Sequence, residues 1–243
     1  TFLFNLGSSP TTLNPLSSTD AYSSKVQNYI VESLLNRNIE SYEWSPALAT
    51  KWKISKDGKI FTFTLRDGVS WHDGKPVTIE DVKFSFDAIV DPKNKYKTAH
   101  LKSYYENIKE AKIIDKSTIQ FTAKKKYFKN FDVVAGLTVL PRHIYENPSK
   151  KEKKKLNKTI VGSGPYKLSK FERNKKLILM RNKKWWGASD VNQLAENNFE
   201  KIRMKFVKDE GKSIQHLEKG GLDFVSLSPE KYTKNTSGKK WGQ

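Results

Sequence analysis

The chain has no cysteine among its 243 residues. That single absence removes disulfides, thiolate metal sites and cysteine nucleophiles together. It suits the cytoplasm and the periplasm equally. No apolar run approaches the roughly 20 residues needed to cross a bilayer, and a mean hydropathy of −0.70 fits a polar surface. No leader peptide is visible at Thr1, which a secreted protein would have lost on maturation. A lipid-anchored precursor would carry an N-terminal cysteine that this sequence does not show. Catalytic signatures are scarce too. The four histidines, His72, His100, His143 and His216, have no metal-ligand spacing and form no HExxH. No phosphate-cradling or dinucleotide-binding glycine motif is present. Gly162-Ser163-Gly164 is not a nucleophile elbow, because Ile160 stands where the first glycine belongs. No close carboxylate pair stands out. A glycosidase remains a third reading, and it requires two carboxylates facing each other across a cleft.

What the sequence has in excess is lysine. Lys and Arg number 45 against 26 Asp and Glu, for a formal charge of +19. A charge of that size fits nucleic acid or another polyanion as partner. The favoured reading is a set of lysines spread over solvated faces, because lysine is a poor bidentate reader beside arginine. The two readings separate on placement: a phosphate-tracking protein gathers its lysines on one face and loses binding steeply with salt.

Residues 47–89 organise the rest. Trp52 and Ile54 alternate with Lys51, Lys53 and Ser55. After Asp57-Gly58, Phe61, Phe63 and Leu65 alternate with Thr62, Thr64 and Arg66. Asp-Gly between alternating runs predicts a hairpin, because glycine takes the positive φ a tight turn needs. Thr78 then predicts a helix N-cap with Asp81 three residues on as its capping-box partner. Val82, Phe86 and Ile89 give that helix an apolar face, and Asp91-Pro92 ends it.

Elsewhere, Phe2 to Leu6 reads as a buried strand. Ser23 caps a helix carrying Val26, Tyr29, Ile30 and Leu34, and residues 36–46 read as a connector. A hairpin is expected around Ile113 and Ile119, and a short helix over 127–134. Residues 148–158 form a lysine-rich linker or helix. Strands follow at Tyr166–Leu168, Leu177–Met180 and Ile202–Phe206, then a helix from Asp209 to Gly220 and a polar tail from Thr233. Trp71, Trp185 and Trp186 read as core before cleft, since large aromatics bury area first.

Several landmarks share an order and spacing with one family. They are Leu13-Asn14-Pro15, Ala47-Leu48-Ala49, Trp52, Asp57-Gly58, the stretch 61–66, Gly68-Val69, Trp71, Asp73-Gly74, Pro76-Val77-Thr78 and Asp81-Val82. Leu140 to Tyr145, Gly162 to Tyr166, Arg181 to Trp186 and Gly221 to Val225 continue the series. In this the chain resembles the family 5 extracellular solute-binding proteins, the peptide- and nickel-binding receptors of ABC importers.

The resemblance implies an α+β (mixed α/β) fold, the first lobe of a periplasmic-binding-protein-like structure of type II, cluster C. Residues 1–44 and 159–243 would form that lobe, with a mostly β subdomain, 45–158, inserted. Family members are considerably longer, so a second lobe is expected to be absent from this chain. The implied function is capture of an oligopeptide or similar small solute outside the inner membrane, in the periplasm or extracellularly. Delivery to an ABC permease follows, without catalysis, cofactor, metal or nucleic acid, by a monomer. Counting from Leu13-Asn14-Pro15, the resemblance puts the ligand's main chain on Thr19, Asp20 and Ala21, by strand addition. The same residues also read as an ordinary loop with Asp20 or Ser23 as helix cap. Tyr104 or Tyr105, and Ser226-Leu227, are carried over to the same wall.

Overall fold

The computed structural model describes residues 1–38, 40–93, 96, 98–189 and 197–236. The elements run β1 (Phe2–Asn5), α1 (Ala21–Gln27), β2 (Leu35–Arg37), β3 (Trp44–Pro46), β4 (Ala49–Ile54), β5 (Ile60–Leu65), α2 (Ile79–Val90) and α3 (Ala99–Lys102). They continue through β6 (Ile108–Ile113), β7 (Thr118–Ala123), α4 (Asn130–Ala135), α5 (Arg142–Tyr145), α6 (Lys150–Leu156), β8 (Tyr166–Glu172) and β9 (Lys176–Arg181). Last come β10 (Lys201–Lys205), α7 (Glu210–Glu218) and α8 (Pro229–Asn235).

The middle of the chain builds an antiparallel sheet in the order β4-β5-β7-β6. The β4–β5 hairpin turns at Gly58, whose φ is +68°, as the Asp-Gly signal requires. Alternation then decides the faces. Phe61, Phe63 and Leu65 of β5 point into the core, and β7 lays Phe121 and Ile119 opposite Phe61 and Phe63. Helix α2 closes that face, with Phe86 edge-on to Phe121 at 5.6 Å. The capping-box expectation holds: Asp81 accepts from the Thr78 N–H at 2.9 Å. The same buried carboxylate also receives Trp71 Nε1 at 3.1 Å and the Arg142 N–H at 2.8 Å. Trp71, 2% exposed, is therefore core.

The two ends of the chain build a second sheet, ordered β1-β10-β9-β8, in which β1 pairs parallel to β10. The long interval between β1 and β10 meets the need of parallel neighbours for a crossover, and the whole central region is threaded through it. One continuous cluster of buried side chains spans both sheets.

Four expectations change. Phe2 to Asn5 is half-buried rather than buried, because β1 is an edge strand; only Leu6 is enclosed. Helix α1 starts at Ala21 with Asp20 as its cap and stops at Gln27, so Ile30 and Leu34 are core residues beyond it. The connector at 36–46 holds the two-stranded pair β2–β3, too short to show a period. The polar tail opens inside a helix: its residues 233–235 complete α8, Pro229–Asn235, which has proline at its first turn. The rest of that tail, 237–243, lies outside the described residues.

Candidate functional site: a groove beside an unpaired extended segment

The segment from Leu13 to Gln27 is held at both ends and open in the middle. Leu13 and Leu16 are buried. Between them Asn14 makes a turn of its own, its Oδ1 accepting from the Leu16 N–H at 3.0 Å. Its carbonyl accepts from Ser17 and Ser18. Gln27 braces the turn from below, its Nε2 donating to Ser18 Oγ at 3.0 Å. On the far side Asp20 caps α1. Its Oδ1 accepts from the Ser23 N–H at 2.8 Å, its Oδ2 from Ser23 Oγ at 2.6 Å, and Thr11 Oγ1 adds a further donor. Burial pushes the Asp20 carboxyl up, but the bonds from Ser23 and Thr11 outweigh it and hold the group below its ordinary value.

Between these anchors stands Thr19, exposed and with no hydrogen bond to any described residue. Asp20 is extended, at φ −112° and ψ 148°. Ala21, exposed, is the first helical residue, so its N–H has no acceptor within the helix. The Asp20 carbonyl accepts from Ser24, so the groups left open are the Thr19 backbone and the Ala21 N–H.

Beside it lies a groove of about 390 Å³, lined by Pro15, Leu16 and Ser18 on one side and Tyr104, Tyr105 and Val133 on the other. The structure separates the two tyrosines. Tyr104 is 69% exposed. Tyr105 is buried edge-on to Phe86 at 5.9 Å, and burial pushes its phenol well above the ordinary value. Ser226 and Leu227 do not line this groove. The parallel bridge between Phe4 and Phe224 instead starts their segment along the edge of β1, toward Gly7. A side chain at Gly7 would stand 3.2 Å from the Tyr22 ring of α1.

Two polar clusters escaped the sequence reading. Glu32 is buried, and its Oε1 accepts from both Trp185 Nε1 and Trp186 Nε1 at 2.9 Å. Arg66 lies over the Trp186 ring, 3.8 Å from its centroid, and its Nε donates to the Ala47 carbonyl at 2.9 Å. Burial pushes the Glu32 carboxyl up; nearby Ser163, the indoles and Arg66 oppose it. Ser163 is close enough to favour the charge, yet no hydrogen bond of good geometry joins it to Glu32 Oε2.

The second cluster is His72, which binds the Gly162–Gly164 turn through three contacts. Its N–H donates to the Gly162 carbonyl at 2.8 Å, and its Nδ1 accepts from the Gly162 N–H at 3.3 Å. Its Nε2 lies 2.9 Å from the Gly164 carbonyl, which requires the proton on Nε2. Burial pulls this imidazole down to about 4, with the Gly164 carbonyl opposing. No local pattern marked either cluster, because Glu32 and His72 meet partners far along the chain. His143 pairs with Asp73 at 2.7 Å near the surface.

Comparison with known proteins gives the fold and the family. The chain is 28% identical over 237 residues to the dipeptide-binding protein DppE of Bacillus subtilis, an alignment covering 91% of this chain and 42% of the relative. NikZ from Campylobacter jejuni, solved with Ni(L-His), superposes with a TM-score of 0.79 at 28% identity, over 97% of this chain and 45% of that one. The oligopeptide-binding protein AppA of Bacillus subtilis, solved with a nonapeptide, shares the fold at a TM-score of 0.81 and 23% identity, over 96% of this chain and 45% of its own. The chain spans less than half the length of these relatives. The model for bacterial extracellular solute-binding proteins, family 5, matches residues 43–241, and the chain belongs to that family.

Proposed function

We propose that this chain is the ligand-gripping wall of a solute-binding protein that captures an extended oligopeptide outside the inner membrane and hands it to an ABC permease. It acts as a monomer and performs no chemistry. On this reading, residues 1–44 and 159–243 are the main lobe and 45–158 the inserted subdomain. One observation carries the proposal. Thr19 is exposed with no hydrogen bond to any described residue, Asp20 is extended, and the Ala21 N–H leads α1 without a helical acceptor, all next to Ser18 and Ser24 of a groove that Tyr104 also lines. Backbone N–H and C=O groups accept any peptide regardless of its side chains, and a neighbouring groove then sets preference. Asp20 does not enter as a charged ligand group, because its carboxylate is committed to Ser23 and Thr11. Ser226 and Leu227, running off the β1 edge, would extend the same wall.

The test uses proline as a backbone probe. Ala21 sits where proline is tolerated in a helix, and Asp20 already has the extended geometry that a following proline demands. Ala21→Pro therefore deletes one N–H while leaving α1 intact. In an amide-detected NMR titration with a mixed oligopeptide pool, wild-type Thr19, Asp20 and Ala21 should shift. Affinity in Ala21→Pro should fall about 5- to 10-fold, the worth of one hydrogen bond, with an unchanged melting temperature. Peptide-induced shifts elsewhere, with none at 19–21, would remove this segment from the site.

A further inference from the structure

We propose that the lysine-covered surface formed by α6 and the β8–β9 turn is a docking face for an anionic phospholipid bilayer. The charge of this protein is not evenly spread. Residues 150–184 hold 14 Lys and Arg against two Glu, so 14 − 2 = +12 of the chain's +19 falls in that stretch. The fold gathers much of it. Edge strand β8 and helix α6 flank one groove of about 840 Å³, lined by Leu156, Leu168 and Phe171, by Lys155, Lys158 and Lys170, and by Glu146 and Glu152, with Lys170 paired to Glu172 at 2.6 Å. Residues 9–13 tie the two elements together. Arg173 in the turn donates to the Thr11 carbonyl at 2.9 Å, Asn174 donates to Ser9, and the Leu13 N–H reaches the Asn157 carbonyl just past α6 at 3.1 Å. Lys150, Lys151, Lys154 and Lys158 are exposed and form no ion pair among the described residues.

The chemistry favours lipid over nucleic acid. Every cation of α6 is lysine, a hydrated point charge that suits a diffuse anionic surface rather than bidentate reading of a phosphate. Arg173 directs one guanidinium N–H to the Thr11 carbonyl. Stacking platforms for bases are missing from the described part of the patch: Phe171 is half-buried, and Tyr96 is buried with Lys153 Nζ 4.9 Å from its ring centroid. Apolar side chains in the groove beside the exposed, unpaired lysines of α6 match the boundary between acyl chains and anionic headgroups. This inference does not depend on the cargo.

The experiment is sedimentation of the 243-residue chain with vesicles of phosphatidylcholine alone and of phosphatidylcholine mixed with phosphatidylglycerol. A quadruple variant replaces Lys150, Lys151, Lys154 and Lys155 with Gln, a good helix former. A control replaces Lys51, Lys53, Lys109 and Lys112 with Gln, removing equal charge from the β4-β5-β7-β6 sheet. Thermal melts confirm that both fold. Wild type and control should bind only the phosphatidylglycerol vesicles. The α6 variant should bind them at least about 100-fold more weakly. Binding should vanish as salt shortens the screening length from about 10 Å to about 3 Å. Three results overturn the proposal: no dependence on phosphatidylglycerol, equal loss in the two variants, or tighter patch-dependent binding to duplex DNA than to vesicles.

Discussion

Asp20 shows how one position can carry two readings at once. Its position after Leu13-Asn14-Pro15 suggested a ligand contact, while its place before a helical run suggested a cap; the structure gives the carboxylate to Ser23 and Thr11. Asp20→Ala is therefore expected to cost about 1 kcal/mol of stability, seen as a melting temperature lower by roughly 2–4 °C in a chain of this size. Asp20→Asn should recover most of that loss, since asparagine caps comparably. If Asp20→Ala melts with the wild type, the cap does not hold the segment. Glu32 illustrates the opposite case. A lone acid among Ile30, Val31 and Leu34 carries no readable task, because its indole donors lie 153 and 154 residues away.

Among the elements, those specified by local period were legible. The β4–β5 hairpin, the capped helix α2, the β6–β7 hairpin and α7 all fall where alternation and end signals put them. The pair β2–β3 and the true start of α1 were not, because three-residue strands have no period and two residues three apart can each serve as a cap. The Gly162–Gly164 turn was visible as flexible punctuation, but its reason is contact. A Cβ at Gly162 would stand 1.9 Å from the Ile30 carbonyl oxygen, where the turn threads against the chain beyond α1. Gly162→Ala should destabilise by about 3 kcal/mol or more. Gly68→Ala meets nothing within 4 Å and should cost only the roughly 1–2 kcal/mol of its positive φ. Urea titration of the two variants ranks them, and equal costs would mean the Ile30 contact relaxes freely.

At the scale of the whole molecule, the central sheet is stitched to the terminal one partly through His72, whose three bonds reach Gly162 and Gly164 some 90 residues on. Its imidazole titrates near 4 when folded, against about 6.5 when unfolded. Below 6.5 the unfolded chain takes up the proton first. The contribution is thus complete above 6.5 and is lost as pH falls toward 4, about 3 kcal/mol in all. Glu32, pushed up by burial, acts in the reverse sense, so the comparison must be with a variant. Between pH 6.5 and 5, wild type should lose about 2 kcal/mol through this residue. His72→Gln should lose correspondingly less over the same interval, and equal losses would show that His72 is not buried as a neutral ring.

By itself the sequence determined the family, the mixed α/β character, both central hairpins and helix α2. Each of these rests on spacings within a few dozen residues, where period and turn chemistry act directly. Tertiary structure alone decided that Asp20 braces its loop, that Tyr105 is core while Tyr104 is open, and that Glu32 and His72 hold distant segments together. It also decided that α6 and β8 flank one groove. Those outcomes depend on which remote groups meet once β1 has paired with β10 across almost the full chain, and no local pattern encodes that meeting.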